Sequence, residues 1–263
     1  MIEEINTLAG ETHNISIKEV TTIAVKAGEI LLTSGAEIYR VEDTINRICK
    51  TYKVECESFV LPTGIFLTAY GIDGENTTLV KRIRDRTIDL ERIELVNSFS
   101  RNLSNNIMDY DSAMNLLKKI EETKGYPFVL KLMAASLTAF VFVFIFQGNV
   151  FEGIAAAIIG SIIYFFKEKV LQVGLFPFLG FFISGIIGGG MSVASATLFK
   201  GLNVYKIIIG AIIILLPGMA ITNGIKDALY GDITSSLNRL SEGIFIVTAV
   251  GAGVALILFL LLR

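Results

Sequence analysis

The chain has 263 residues, 52% of them hydrophobic, with a mean hydropathy of +0.63 and a formal net charge of −2. Charged residues make up 18%, below the roughly 25% of soluble domains, and the absence of a basic block excludes a nucleic-acid footprint. The charge is unevenly spread: residues 1–126 hold 35 Lys, Arg, Asp and Glu and residues 127–263 hold 13, so a soluble front precedes a back half that calls for lipid.

The first residues, MIEEINTLAGETHN, are polar and acidic and lack the basic start and apolar run of a signal peptide. The front half is therefore expected in the cytoplasm. His13 lies in this tail and is given no role. Cys49 and Cys56 are spaced neither as a zinc site nor as a CxxC pair, and are read as reduced structural thiols. No metal and no cofactor is expected.

In chain order, residues 16–34 place Ile17, Val20, Ile23, Ala24, Ala27, Ile30 and Leu31 on one helical face. Gly35 can take the left-handed conformation that closes such a helix. Residues 37–52 predict a second amphipathic helix, with Ile38, Val41, Ile45, Ile48 and Cys49 inward. The segments VECESFVLP, TGIFLTAYG and TTLVKRI are rich in strand formers, and Ile72–Asn76 forms a turn between the last two. Two more helices follow in DLERIELVNSFSRNL and SAMNLLKKIEETK, and Lys124-Gly125-Tyr126-Pro127 ends the unit. The expected fold is an α+β cytosolic domain over 1–126, with a small antiparallel sheet, followed by an all-α membrane domain of five transmembrane helices over 127–263.

The five spans are placed at 127–147, 150–167, 175–199, 203–221 and 241–262, each near the ~20 apolar residues a crossing requires. With the front inside, the C-terminus falls outside. Lys167, Lys169, Lys226 and Arg239 then lie inside and Lys200, Lys206 and Arg263 outside, so the basic residues themselves barely orient the chain. In the third span Gly180, Ser184, Gly188, Ser192 and Ala196 recur every four residues, and in the second Gly153, Ala157 and Ser161 do the same. Such stripes let neighbouring helices approach closely. Gly188-Gly189-Gly190 is read as a possible break.

Between the fourth and fifth spans stands LPGMAITNGIKDALYGDITSSLNRLSE. Pro217 removes a backbone donor and clashes with the preceding turn, so the fourth span breaks or kinks there, and Gly218 permits the bend. Beyond it, Asn223 and Asp227 share a helix face, as do Thr222 and Lys226. Gly231 can end this helix, Asp232 can cap the next near Ile233, and Arg239 and Glu242 lie one turn apart. One reading is a short amphipathic loop with capped helices. The other is a polar site at a broken helix, the device secondary transporters use for substrates and coupling ions. On that reading Lys226 and Arg239 suit a carboxylate, and Asp227, Asp232 and Glu242 suit an ammonium group or a proton.

This run, PG-x3-T-N-x-I-K-D-x3-G-D-I-x-S-x3-R-x2-E, resembles the signature of the bacterial threonine/serine exporter family. In the front half SGAEIYRVEDTINRI, with Gly35, Glu37, Arg40, Glu42 and Thr44, resembles that family's GAE…RVE…T…I segment, and VLPTGIF, with Pro62 and Thr63, resembles its V-PT-x-I strand. Two departures are Lys226, where Arg is usual, and Ser236, where Gly is frequent. Lysine keeps the charge but lacks the flat two-pronged donor set. The resemblance implies export of a small polar metabolite, threonine and serine or succinate, across the bacterial cytoplasmic membrane, coupled to protons. It also implies a second small transmembrane subunit of about 150 residues, and leaves self-association open.

Two further classes are weighed from the residues. Glu37, Arg40, Glu42 and Thr63 are the clustered polar groups of the front half. A membrane-tethered hydrolase would use them, but no His is near, GxSxG is absent and neither cysteine has an evident base, so a nucleophilic triad is not supported. Glu37 and Arg40 are one turn apart and read as an exposed ion pair. Alternatively the front half is a regulatory or scaffold module, with these residues as an interface.

Overall fold

The computed structural model describes residues 15–71, 74–170 and 177–261. His13 and the acidic tail, Ile72 and Asp73 of the predicted turn, the start of the third span and Arg263 lie outside the described residues. The chain divides into two compact units, one running through Gly125 and including Asn223–Asn238, the other formed by Tyr126–Thr222 and the chain from Arg239 onward.

The first unit opens with helices α1, Ile17–Thr33, and α2, Ile38–Thr51. Ser16 and Glu19 form a reciprocal capping box at the start of α1. At its end Gly35 adopts φ +87°, and the amides of Gly35 and Ala36 return to the carbonyls of Leu32 and Leu31, which satisfies two otherwise orphaned acceptors. Every α2 residue predicted to face inward, Ile38, Val41, Ile45, Ile48 and Cys49, is buried. A three-stranded antiparallel sheet follows in the order β1 (Glu55–Leu61), β2 (Gly64–Tyr70), β3 (Asn76–Arg82). Leu61 pairs Gly64, so Pro62-Thr63 is a two-residue hairpin turn.

Alternation along β2 buries Ile65, Leu67 and Ala69 and exposes Phe66 and Tyr70. Helices α3, Leu90–Asn105, and α4, Tyr110–Glu121, complete the unit, with Ile93, Val96, Phe99, Leu103, Leu117 and Ile120 joining the core of α1 and α2.

The second unit is helical. It contains α5 (Phe128–Ile145), α6 (Val150–Phe165) continued by a π-helical turn to Val170, α7 (Pro177–Leu198) and α8 (Val204–Ile212) with a 3-10 turn to Leu215. Helix α9, Gly218–Leu229, and helix α10, Ile233–Leu261, follow and each contribute residues to both units. Among the described residues four helices are long and apolar enough to cross a membrane, and the pair α8 and α9, bent by 60° at the break, makes a fifth if counted as one span. Outward residues of α5 such as Val129, Met133 and Leu137 are exposed and apolar, as a lipid-facing surface demands.

The predicted break at Gly188-Gly189-Gly190 is absent: α7 runs through it. The reason is packing. A side chain on Gly188 would press on Ile212 and Ile163, and one on Gly189 on Ile257, so these glycines are contact points for neighbouring helices and the backbone ladder stays intact. The closest approaches to facing backbone pair Gly185 with Val250 and Gly253 with Phe182, between α7 and α10. Ser184 and Ser192 of the predicted stripe are buried and donate their hydroxyls to the carbonyls of Gly180 and Gly188.

Candidate functional site

The break falls where proline dictates. The 3-10 turn ends at Leu215, Leu216 turns extended, and α9 begins at Gly218 after Pro217. A side chain at Gly218 would meet nothing within 4 Å among the described residues, so packing does not require a glycine there. Helix α9 ends as its sequence directs: Gly231 adopts φ +91°, and the amides of Gly231 and Asp232 return to the carbonyls of Ala228 and Asp227. Asp232 then accepts the Ser235 N–H at 3.0 Å and caps α10.

The buried face of α9 carries Asn223, Gly224 and Asp227. Within the first unit, this face meets the turn between α1 and α2. Asn223 Nδ2 donates to the Gly35 carbonyl at 2.9 Å. Asp227 Oδ1 accepts the Ile38 N–H at 3.1 Å. Lys226 Nζ donates to Glu37 Oε1 at 2.8 Å, while Arg40 Nη1 donates to Glu37 Oε2 at 3.1 Å. The rings of Tyr39 and Tyr230 stack at 3.9 Å. The two signature segments, 189 residues apart at Ile38 and Asp227, therefore build one site.

Its chemistry follows from helix ends. Glu37 is the N-cap residue of α2, yet its side chain makes no cap hydrogen bond, because both its oxygens serve the cations. Asp227, carried on another helix, supplies the acceptor instead and places a negative charge at the positive end of α2. Burial favours the neutral acid of Glu37, but its bonds to Lys226 and Arg40 win and hold its carboxyl below the ordinary value. Glu42 shows the opposite balance. Burial and the nearby Asp232 carboxylate push it up, against the Val60 N–H it accepts at 3.1 Å.

Thus Gly35, Glu37, Arg40, Asn223, Lys226 and Asp227 are brought together, and Glu42 and Asp232 face one another electrostatically. Thr222 is exposed, Thr44 and Pro62 are buried, and Thr63 accepts the Ile83 amide at its carbonyl. Arg239 is buried and Glu242 exposed on α10. The Glu37–Arg40 pair, expected to be exposed, is corrected in one partner: the Glu37 side chain is only 8% accessible, because α9 and Lys226 cover it.

Several residues escaped sequence reasoning. Tyr39 and Tyr230 carried no local signal. Glu152, 2% exposed, accepts the Asn149 N–H through Oε2 and the Asn203 N–H through Oε1, both at 2.8 Å. It ties the starts of α6 and α8 together. The spacing Asn149-x-x-Glu152 is a capping-box signature that could have revealed the first contact.

The family model described as "Putative threonine/serine exporter" (ThrE) matches residues 22–261. A Mycobacterium tuberculosis protein named "Probable threonine/serine exporter" is 20% identical over 94% of this chain and 47% of its own length. A Klebsiella aerogenes protein named "Probable succinate transporter subunit YjjP" is 21% identical over 91% of this chain and 93% of its own. An uncharacterized Schizosaccharomyces pombe protein is 21% identical over 81% of this chain and 29% of its own. The chain thus spans about half the length of the mycobacterial relative. No solved structure matches. The family description and the mycobacterial and Klebsiella names are those of transporters, so neither the hydrolase nor the scaffold reading is favoured, and the apolar helices fit a multi-pass membrane protein.

Proposed function

The chain belongs to the threonine/serine exporter family, and from that membership we propose that it is a subunit of a proton-coupled secondary transporter. It exports a small polar metabolite, an amino acid such as threonine or serine or a dicarboxylate such as succinate, across the bacterial cytoplasmic membrane. The front domain lies in the cytoplasm. A separate small membrane protein supplies a second half, a reading supported by the near full-length match to a protein named as a subunit.

The observation that carries this reading is the joining of the two signature segments around Glu37, Lys226 and Asp227. A half-helix that follows a proline break presents the exposed cation Lys226 and the buried carboxylate Asp227 beside the buried Glu37, and charges of both signs at a broken helix are the arrangement with which a transporter holds a charged solute and a proton. In this reading Lys226 and Arg239 attract a carboxylate, and Asp227 and Glu242 serve a proton or an ammonium group. Asp232 belongs to the same pathway, and Pro217, Gly218 and Thr222 shape the broken helix.

The test is efflux of threonine, serine and succinate from cells that lack their own exporters and carry this chain with its partner. Asp227→Asn and Arg239→Gln are expected to abolish efflux while the protein still inserts. Full efflux in both variants removes these residues from the mechanism. A protonophore that leaves the wild-type rate unchanged refutes the coupling.

A further inference from the structure

Asn223 is 2% exposed and Ser34 1% exposed. The Asn223 amide nitrogen is committed to the Gly35 carbonyl at 2.9 Å. A carbonyl oxygen accepts only, so this bond fixes which end of the carboxamide is which. Asn223 Oδ1 is then held beside the Ser34-Gly35 turn as a buried acceptor, and among the described residues it has no hydrogen-bond partner; the buried Ser34 hydroxyl of that turn has none either. Buried polar atoms without partners are rare and call for a reason. The segments that carry them also carry the Glu37 and Asp227 carboxylates, and the cations Lys226 and Arg40 lie against Glu37.

Resting on the reading that this site handles the solute, we propose that Asn223 is a specificity-determining residue whose tethered Oδ1, with the Ser34 hydroxyl, reads the ammonium group of a small amino acid. The amide oxygen accepts and the hydroxyl can do so, and neither is engaged by the described residues. A solute with N–H donors satisfies them. A dicarboxylate brings only acceptors at neutral pH, leaves Oδ1 unsatisfied and meets Asp227 with like charge. The amino acid's carboxylate competes with Glu37 for Lys226 and Arg40. The arrangement separates the two solute classes by what they donate, the kind of discrimination that binding delivers best, since a missing partner strands a buried polar group.

The test uses the full chain with its partner in exporter-deficient cells, and the purified full chain in detergent. Serine and threonine are expected to leave the cells and succinate not. L-Serine is expected to raise the melting temperature of the purified protein, whereas succinate and 3-hydroxypropanoate, which is serine without its ammonium group, do not. Asn223→Ala should lower amino-acid export at least about tenfold. Because that variant also loses the Gly35 tether, Ser34→Ala is the companion: it removes a hydroxyl that bonds to nothing, so the fold stands while export falls several-fold.

Succinate export that is indifferent to both substitutions overturns the proposal. So does unchanged serine export in both. If export survives Asn223→Ala and Ser34→Ala but is lost in Asp227→Asn, the site reading stands and the ammonium reading falls. If it survives all three, the site reading falls as well.

Discussion

Asp227 caps a helix that begins 189 residues before it: its Oδ1 accepts the Ile38 N–H at 3.1 Å. The residue that should cap α2 locally, Glu37, is occupied by Lys226 and Arg40. The front domain's second helix thus depends for its first turn on a side chain from the segment beyond the proline break.

Removing that cap has a measurable cost. Asp227→Ala should destabilise the first unit by about 1–2 kcal/mol, the usual range for a lost N-cap acceptor. Asp227→Asn, which keeps an acceptor but loses the charge, should cost less. Thermal unfolding of the full chain in detergent separates the two, and equal melting temperatures for wild type and Asp227→Ala would show that α2 does not use this cap.

The Glu37–Lys226 pair predicts charge-swap rescue. Glu37→Lys leaves Lys226 and Arg40 facing a third cation, and Lys226→Glu sets two carboxylates together at a buried position. Each single change should lower the melting temperature, the loss being moderated because the Lys226 side chain is 45% accessible. The double swap should recover much of the loss. A double-mutant cycle on melting temperature measures the coupling, and strict additivity would mean that the pair contributes nothing.

Opposite pH signatures are expected from two carboxyls of one helix. Glu37, held low by Lys226 and Arg40 despite its burial, contributes stability above its ordinary value near 4.3. That contribution disappears as pH falls through its depressed value. Glu42, raised by burial and by Asp232, contributes when protonated, and its contribution is lost as pH rises through the raised value. Glu37→Gln should therefore flatten the acid limb of the stability profile. Glu42→Gln should raise stability toward neutral pH relative to wild type. Parallel profiles for all three proteins would contradict both assignments.

In the helical unit, glycines with and without neighbours should respond differently. Gly253→Ala and Gly185→Ala drive a methyl into facing backbone that cannot yield, Phe182 and Val250 respectively, and should cost more than about 2 kcal/mol. A methyl at Gly218 meets nothing within 4 Å, so Gly218→Ala should be tolerated. Yield of folded protein after detergent extraction ranks the three, and a Gly218→Ala loss equal to the others would mean that the bend itself requires glycine.

Much of this architecture was legible because it is written locally. The 3.6-residue spacing in α2, the alternation in β2, the Gly35 and Gly231 helix ends, the Asp232 cap and the break at Pro217 each need only a few neighbouring residues. The site was not legible in the same way. Asn223, Lys226 and Asp227 read as groups at a helix break, and Glu37 and Arg40 read as a surface pair, since no periodicity records a contact across 189 residues. Burial of Glu37 is set by what α9 lays over it. The continuity of α7 through three glycines likewise depends on Ile163, Ile212 and Ile257 of other helices, which intrinsic propensity does not contain.

The Tyr39–Tyr230 stack makes the contact between α2 and the end of α9 visible to light. The chain has eight tyrosines and no tryptophan, so no indole absorbance masks the phenol bands and no indole drains their emission. Two phenol rings 3.9 Å apart and nearly parallel form an excitonic pair whose near-ultraviolet dichroism exists only while the rings overlap. Separation of these two segments during turnover would therefore register as an optical change in the unlabelled protein, on whatever timescale the separation takes place.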